Sequence, residues 1–174
     1  MSFTASHHDF ADKPGAYGDL ARDLAGLLAG ERNWIANAAN AAALVFAALP
    51  DLNWAGFYVP LRNASGVREL VVGPFQGKPA CVRIAMGSGV CGTAALRGET
   101  IVVPDVRAFD GHIACDPASC SEIVVPLLRP GAAGDAACVG VLDLDSPLPA
   151  RFDDADRAGL ERLAAIIVAA SDWP

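Results

Sequence analysis

The sequence predicts an α+β fold, an antiparallel sheet with helices packed on one face. Three observations carry this. Two apolar, aromatic or β-branched runs turn back on themselves through residues 62–66 and 130–134, where Asn, Ser, Gly and Pro supply turn chemistry, and each reads as a hairpin. Long patterns of helical period occur at both ends of the 174-residue chain, outside the hairpins. Helices grouped apart from strands build a layer on a sheet; parallel βαβ units would alternate them.

Taken in order, residues 17–29 put Leu20, Leu24, Leu27 and Leu28 on one side of a helix that stops at Gly30. A second helix covers 31–49 and ends before Pro50. The aromatic-rich stretch 52–59 reads as a strand closed by Pro60, and 69–73 as its return. Residues 80–84 form a third strand with Cys81 at its start. Residues 87–92 are a glycine-rich bend holding Cys91, and 93–97 a short helix. A brief strand at 101–103 leads into an irregular stretch, 104–121, whose length is typical of functional loops. Residues 122–128 and 138–145 form the second hairpin. Asp153 caps a last helix through 170, with Leu160, Leu163, Ala164 and Ile167 inward. No repeat or linker interrupts the pattern, so residues 1–16 read as a tail and 17–171 as one domain, with His7 and His8 in solvent.

Composition narrows the function. With 53% hydrophobic and 19% charged residues the chain can bury a core and is not disordered. Thirteen Lys and Arg against twenty Asp and Glu give 13 − 20 = −7, with no basic stripe for nucleic acid or for an anionic membrane surface. Residues 34–49 come nearest to a membrane span. They carry Asn37 and Asn40, and their bulk recurs as the single stripe Ile35, Ala38, Ala42, Val45 and Leu49, which marks a buried helix. Residues 1–10 lack the basic-then-apolar order of a secretory signal, so a cytoplasmic protein is expected. Five cysteines, an odd count in a reducing compartment, are then small buried hydrophobes, metal ligands or redox groups.

Cys138 lies within an apolar run and reads as a buried hydrophobe. Cys81, Cys91, Cys115 and Cys120 fall near turns or loops. Cys81, Cys91 and Cys115 with His112 could in principle form a Cys₃His zinc site, but only His112 and Cys115 have the short spacing structural zinc prefers, and no metal is expected. The period of two in Val141-Leu-Asp-Leu-Asp puts Asp143 and Asp145 on one sheet face, with Leu142 and Leu144 on the other. Glu122 opens the neighbouring strand at the same end. Buried carboxylates need a cation or hydrogen-bond donors. Trp54 and Tyr58, four apart on a strand, share a face. Aromatic walls beside carboxylates suit a small, partly apolar cation.

The segments Asn53-Trp-Ala-Gly-Phe-Tyr, Gly73-Pro-Phe-Gln-Gly-Lys, Ala80-Cys-Val-Arg-Ile, Gly89-Val-Cys-Gly-Thr-Ala, Phe109-Asp-Gly-His-Ile-Ala-Cys-Asp, Ser121-Glu-Ile-Val and Gly140-Val-Leu-Asp-Leu-Asp-Ser, in that order, resemble the signature of the free methionine-(R)-sulfoxide reductases, which are stand-alone GAF domains. The resemblance implies a GAF-like central antiparallel sheet flanked by N-terminal and C-terminal helices. It implies reduction of free L-methionine (R)-S-oxide, with Cys115 as catalytic cysteine, Cys81 as principal resolving cysteine and Cys91 as a further redox cysteine. It places Trp54, Tyr58, Glu122, Asp143 and Asp145 at substrate-holding positions and adds Asp105. Glu122 with one aspartate would address the sulfoxide oxygen, and the other carboxylates the α-ammonium. It further implies thioredoxin as external reductant, a homodimer and no cofactor. The chain departs from the family pattern at the turns 62–66 and 131–136, both longer, and at Cys120, a fourth loop thiol able to divert the disulfide. A GAF domain that senses a small molecule without catalysis is the alternative.

Overall fold

The computed structural model describes residues 8–113, 115–134 and 137–174. His7 and the last part of the 131–136 turn, Asp135 and Ala136, lie outside them. Helix α1 spans Lys13–Leu27, four residues ahead of the expected start, because the Asp12 carboxylate caps it by accepting from the Gly15 N–H and a proline stands in the first turn. His8 corrects the expectation of a solvated tail: its Nε2 lies 3.2 Å from Asp23 Oδ2 and its side chain is buried. Helix α2 (Trp34–Ala48) starts where the Asn33 side chain accepts from the Ile35 and Ala36 N–H groups.

Six antiparallel strands follow in the spatial order β3-β2-β1-β6-β5-β4. They are β1 (Trp54–Arg62), β2 (Arg68–Gly77), β3 (Arg83–Ala85), β4 (Ile101–Val103), β5 (Ser121–Leu128) and β6 (Cys138–Ser146). Pro60 does not close β1. The strand runs on to Arg62, paired with β2 only, since its register with β6 ends at Tyr58↔Val141. With no partner on that side, the missing proline N–H costs no ladder bond. Strand β3 begins at Arg83, so Cys81 sits in the β2–β3 loop and not on a strand. Helix α3 covers Gly89–Arg97, which moves Cys91 from the expected bend into a helical first turn. The stretch before β5 holds a 3₁₀ turn at Val106–Ala108.

The helices are not all on one face. Those of the chain ends, α1, α2 and α4 (Asp154–Ala170), bury Leu20, Leu24, Val45, Leu160, Leu163 and Ile167 against Phe57, Ile123, Leu142 and Leu144 of the sheet. Helix α3 packs Val90, Ala94 and Ala95 on the opposite face, against Tyr58, Val124 and Val141. Glycines at 87, 89 and 92 obscure this short helix in the sequence. Helix α4 opens with a capping box between Asp153 and Asp156. The fully buried Asp156 carboxylate then accepts from Lys13 Nζ at 2.6 Å, Tyr17 Oη at 2.8 Å and Arg151 Nη1 at 3.0 Å, fastening α1 to α4. One turn on, Gly159 lies against the Tyr17 ring, where a Cβ would overlap it.

Candidate active site

The face covered by α3 carries the polar cluster. Strand β6 alternates, so Leu142 and Leu144 enter the main core while Asp143 and Asp145 point the other way. Register sets their neighbours: Glu122 of β5 stands opposite Asp145, and on β1 Trp54 stands opposite Asp145 and Gly56 opposite Asp143. Trp54 stacks on Tyr58, with centroids 5.9 Å apart, and on Phe75 at 5.4 Å. Gly56 permits this, since a Cβ there would strike both Phe75 and the Trp54 ring. Cys91 enters from the first turn of α3. Trp54, Tyr58, Cys91, Glu122, Asp143 and Asp145, with His112, Cys115, Asp116 and Ser119, line a narrow cavity with about 30 Å³ open to the centre of a water-sized sphere. None of the residues found lining it is Lys or Arg.

Desolvation governs the cavity. Burial, reinforced by mutual repulsion, pushes Glu122, Asp143 and Asp145 well above the ordinary carboxyl range. Glu122 and Asp143 are 5% and 6% exposed, and Asp143 Oδ1 has no hydrogen-bond partner. Burial likewise raises the Cys91 thiol, helped by the Asp143 and Glu122 carboxylates. His112 Nε2 lies 3.5 Å from Glu122 Oε2, and burial lowers the imidazole pKa, which keeps the ring neutral near pH 7. Each of these shifts favours the protonated acid or the neutral ring.

Cys115 is reached from the β2–β3 loop. The Cys81 N–H donates to Cys115 Sγ at 3.4 Å, although the two residues lie 34 apart in sequence. Burial first, and the neighbouring Cys81 side chain second, push the Cys115 thiol up to about 12, while the Cys81 N–H pulls the other way. Cys81 is not among the cavity's lining residues, whereas Ala80 and Cys115 are.

Among the described residues the fold thus gathers Cys91, Cys115, Glu122, Asp143, Asp145, Trp54 and Tyr58 in one cavity, with Cys81 beside it. Asp105 is elsewhere: it is not among the lining residues, and its carboxylate caps the 3₁₀ turn through the Arg107 N–H while bonding the Arg107 guanidinium at 2.8 Å. Cys120 also lies off the cavity, its thiol toward the Ala118 carbonyl. Cys138 sits at the far end of β6, buried, bonded to the Gly140 carbonyl at 3.2 Å, as expected of a small hydrophobe. The side chains that converge to metal-ligand distances are Cys91, Glu122 and Asp143, not the Cys₃His set. Sequence reasoning missed Ser119, which hydrogen-bonds Asp145, and Asp116, which reaches Lys78 and Asn53.

The fold and the site together define a GAF domain with a thiol pair beside an acidic, aromatic cavity, and the GAF domain family model matches residues 34–170. The free methionine-R-sulfoxide reductase of Escherichia coli is 50% identical over 154 residues, 88% of this chain and 87% of that protein. The structure of the free methionine-R-sulfoxide reductase of Neisseria meningitidis in complex with its substrate is 42% identical, with a TM-score of 0.84 over 96% of this chain and 95% of that one. A candidate GAF sensor protein from Burkholderia vietnamiensis is 56% identical, with a TM-score of 0.81 over 92% and 96% of the two chains. The chain belongs to the free methionine-R-sulfoxide reductase family of GAF domains.

Proposed function

We propose that this chain reduces free L-methionine (R)-S-oxide to methionine through its cysteines. The observation that carries the reading is the contact of Cys81 with the Cys115 sulfur beside a cavity lined by Glu122, Asp143 and Asp145. A sulfoxide sulfur is open to thiolate attack once its oxygen takes up a proton. Cys115 supplies the thiolate. Glu122, opposite Asp145 and held protonated, is placed with Asp143 to protonate the oxygen. The sulfoxide S–O bond breaks, its hydroxyl passes to the Cys115 sulfur and methionine leaves, so the methionine sulfur is reduced and Cys115 is oxidised to a sulfenic acid.

The remaining carboxylate holds the substrate's α-ammonium, and that cation activates the site. A positive charge entering a cavity in which no described lining residue is lysine or arginine favours the ionised forms of Asp145 and Cys115. The nucleophile therefore forms when substrate arrives. In the empty cavity the thiol stays protonated and reacts slowly with other oxidants. Trp54 and Tyr58 pack on the methyl group and on the sulfur as it becomes positive.

Cys81 then attacks the sulfenic sulfur. The S–O bond breaks, an S–S bond forms, and the hydroxide leaves as water with the Cys81 proton. A dithiol protein, thioredoxin by family resemblance, reduces the disulfide, so electrons come from thiols and no metal or organic cofactor is needed. Cys91 is a second thiol able to resolve the intermediate. The same resemblance extends the reading to a homodimer working in the cytoplasm, where thiols stay reduced. The test is a thioredoxin-coupled NADPH assay on the separate R and S epimers of free methionine sulfoxide, with N-acetylated substrate in parallel. Turnover of the free R epimer alone is expected. Absence of turnover, with no Cys81–Cys115 disulfide after oxidation, would favour the sensing alternative.

A further inference from the structure

Lys78 and Asp116 lie in the two loops that carry the thiols, three residues before Cys81 and one after Cys115. Lys78 Nζ is 3.2 Å from both carboxylate oxygens of Asp116. Each partner is tied to the sheet as well. The Lys78 carbonyl accepts from Trp54 Nε1 at 3.2 Å. Asp116 Oδ2 accepts from Asn53 Nδ2 at 3.3 Å, and the same Asn53 amide bonds Ser119 Oγ at 3.0 Å. Asp116 Oδ1 accepts from the Ala118 N–H at 2.9 Å. The Asp116 side chain is 6% exposed and that of Lys78 68%. A buried carboxylate on one loop is thus met by the cation of the other, directly beside the Cys81 N–H to Cys115 Sγ contact.

We propose that Lys78 and Asp116 are positioning residues, a strap that holds the β2–β3 loop on the Cys115 loop and so sets how fast the Cys81–Cys115 disulfide closes. The inference rests on the reductase reading above and adds Lys78, which is not among the cavity's lining residues, and a loop-holding role for Asp116, which stands in the cavity wall. In the step concerned the Cys81 thiol displaces hydroxide from the Cys115 sulfenic acid. The Cys81 sulfur is oxidised, the Cys115 sulfur reduced, and one water leaves. Methionine sulfoxide is the oxidant that formed the sulfenic acid. Closure requires the two Cα atoms to come within about 7 Å, and a loop freed of the strap spends less time there. Methionine release precedes closure and depends on the cavity groups, so it should change little when Lys78, which does not line the cavity, is replaced.

Single turnovers with stoichiometric R sulfoxide, quenched with a sulfenic-acid-trapping dione, test this. Lys78→Met should slow disulfide closure about fivefold, the scale of a partly exposed ion pair, with trapped Cys115 sulfenic acid accumulating and the methionine burst retained, and Asp116→Asn should slow closure to the same extent. The double variant should be no slower than either single one. Lys78→Arg should restore closure, and 1 M KCl should slow the wild type toward the variants, since Lys78 is open to screening. Closure at the wild-type rate in Lys78→Met, or an arginine that fails to restore it, overturns the strap. Wild-type protein that releases no methionine overturns the reductase reading instead, and the strap with it.

Discussion

Glu122 on β5 stands directly opposite Asp145 on β6, with Asp143 two residues along the same strand. Three carboxyl groups so placed, Glu122 and Asp143 buried and Asp145 half-buried, hold their protons above the ordinary range. Their pKa values are higher folded than unfolded, so their contribution to stability is complete below the unfolded value of about 4 and is lost as pH rises through the folded values. Denaturant unfolding should therefore show a free energy that falls from pH 5 to pH 8 more steeply in the wild type than in Asp143→Asn. At pH 8 the variant should be more stable by roughly 1–2 kcal/mol while losing activity. Parallel pH profiles for the two proteins would show that Asp143 carries no such penalty.

The thiols divide the turnover into stages. Cys115→Ser should yield no methionine. Cys81→Ser should yield a burst of about one methionine per chain and then stall or slow, because the nucleophile works once without its resolving partner. Quenched-flow product counting distinguishes them. A full burst from Cys115→Ser would reassign the nucleophile.

Asp156 is a structural charge with no role in the cavity. Asp156→Ala would leave the Arg151 side chain buried with Nη2 already unpartnered, strip Tyr17 of its acceptor and leave Lys13 with Asp153 alone. A cost of about 3–5 kcal/mol is expected, read as a large drop in Tm, with kcat per folded molecule retained at low temperature. A change below about 1 kcal/mol would show that the α1–α4 junction does not depend on this carboxylate.

Gly159→Ala reverses the usual helix rule. On an open helix the change would stabilise by about 1 kcal/mol. Here the new methyl overlaps the Tyr17 ring, and a loss of about 1–3 kcal/mol is expected from displacement of the ring. Thermal melts decide the sign, and a gain in stability would refute tight packing of α1 on α4.

The pairing of Asp143 with Asp145 on one face was legible because period two on a strand leaves no choice, and the Asp153 cap because its chemistry is local. Cys81 was misplaced because Ala80-Cys-Val-Arg-Ile has a strand-like composition, yet the Cys81 N–H goes to the Cys115 sulfur and not to a ladder. The length of β1 escaped for a related reason: a proline ends a strand only where its N–H is needed, and need depends on a neighbour that local sequence does not reveal. Lys78 and Asp116 meet across 38 residues, beyond any local periodicity. The cavity's chemistry was thus readable where it follows from alternation or family motif, and hidden where loops meet.

Strand β6 supplies packing side chains at Leu142 and Leu144 and acid groups at Asp143 and Asp145, in strict alternation. Deleting one residue upstream of Leu142 within the strand would shift the reading frame of its two faces, sending leucines into the cavity and aspartates into the hydrophobic layer. Point changes can erode folding or chemistry separately along this ribbon, whereas a single-codon loss forfeits both together.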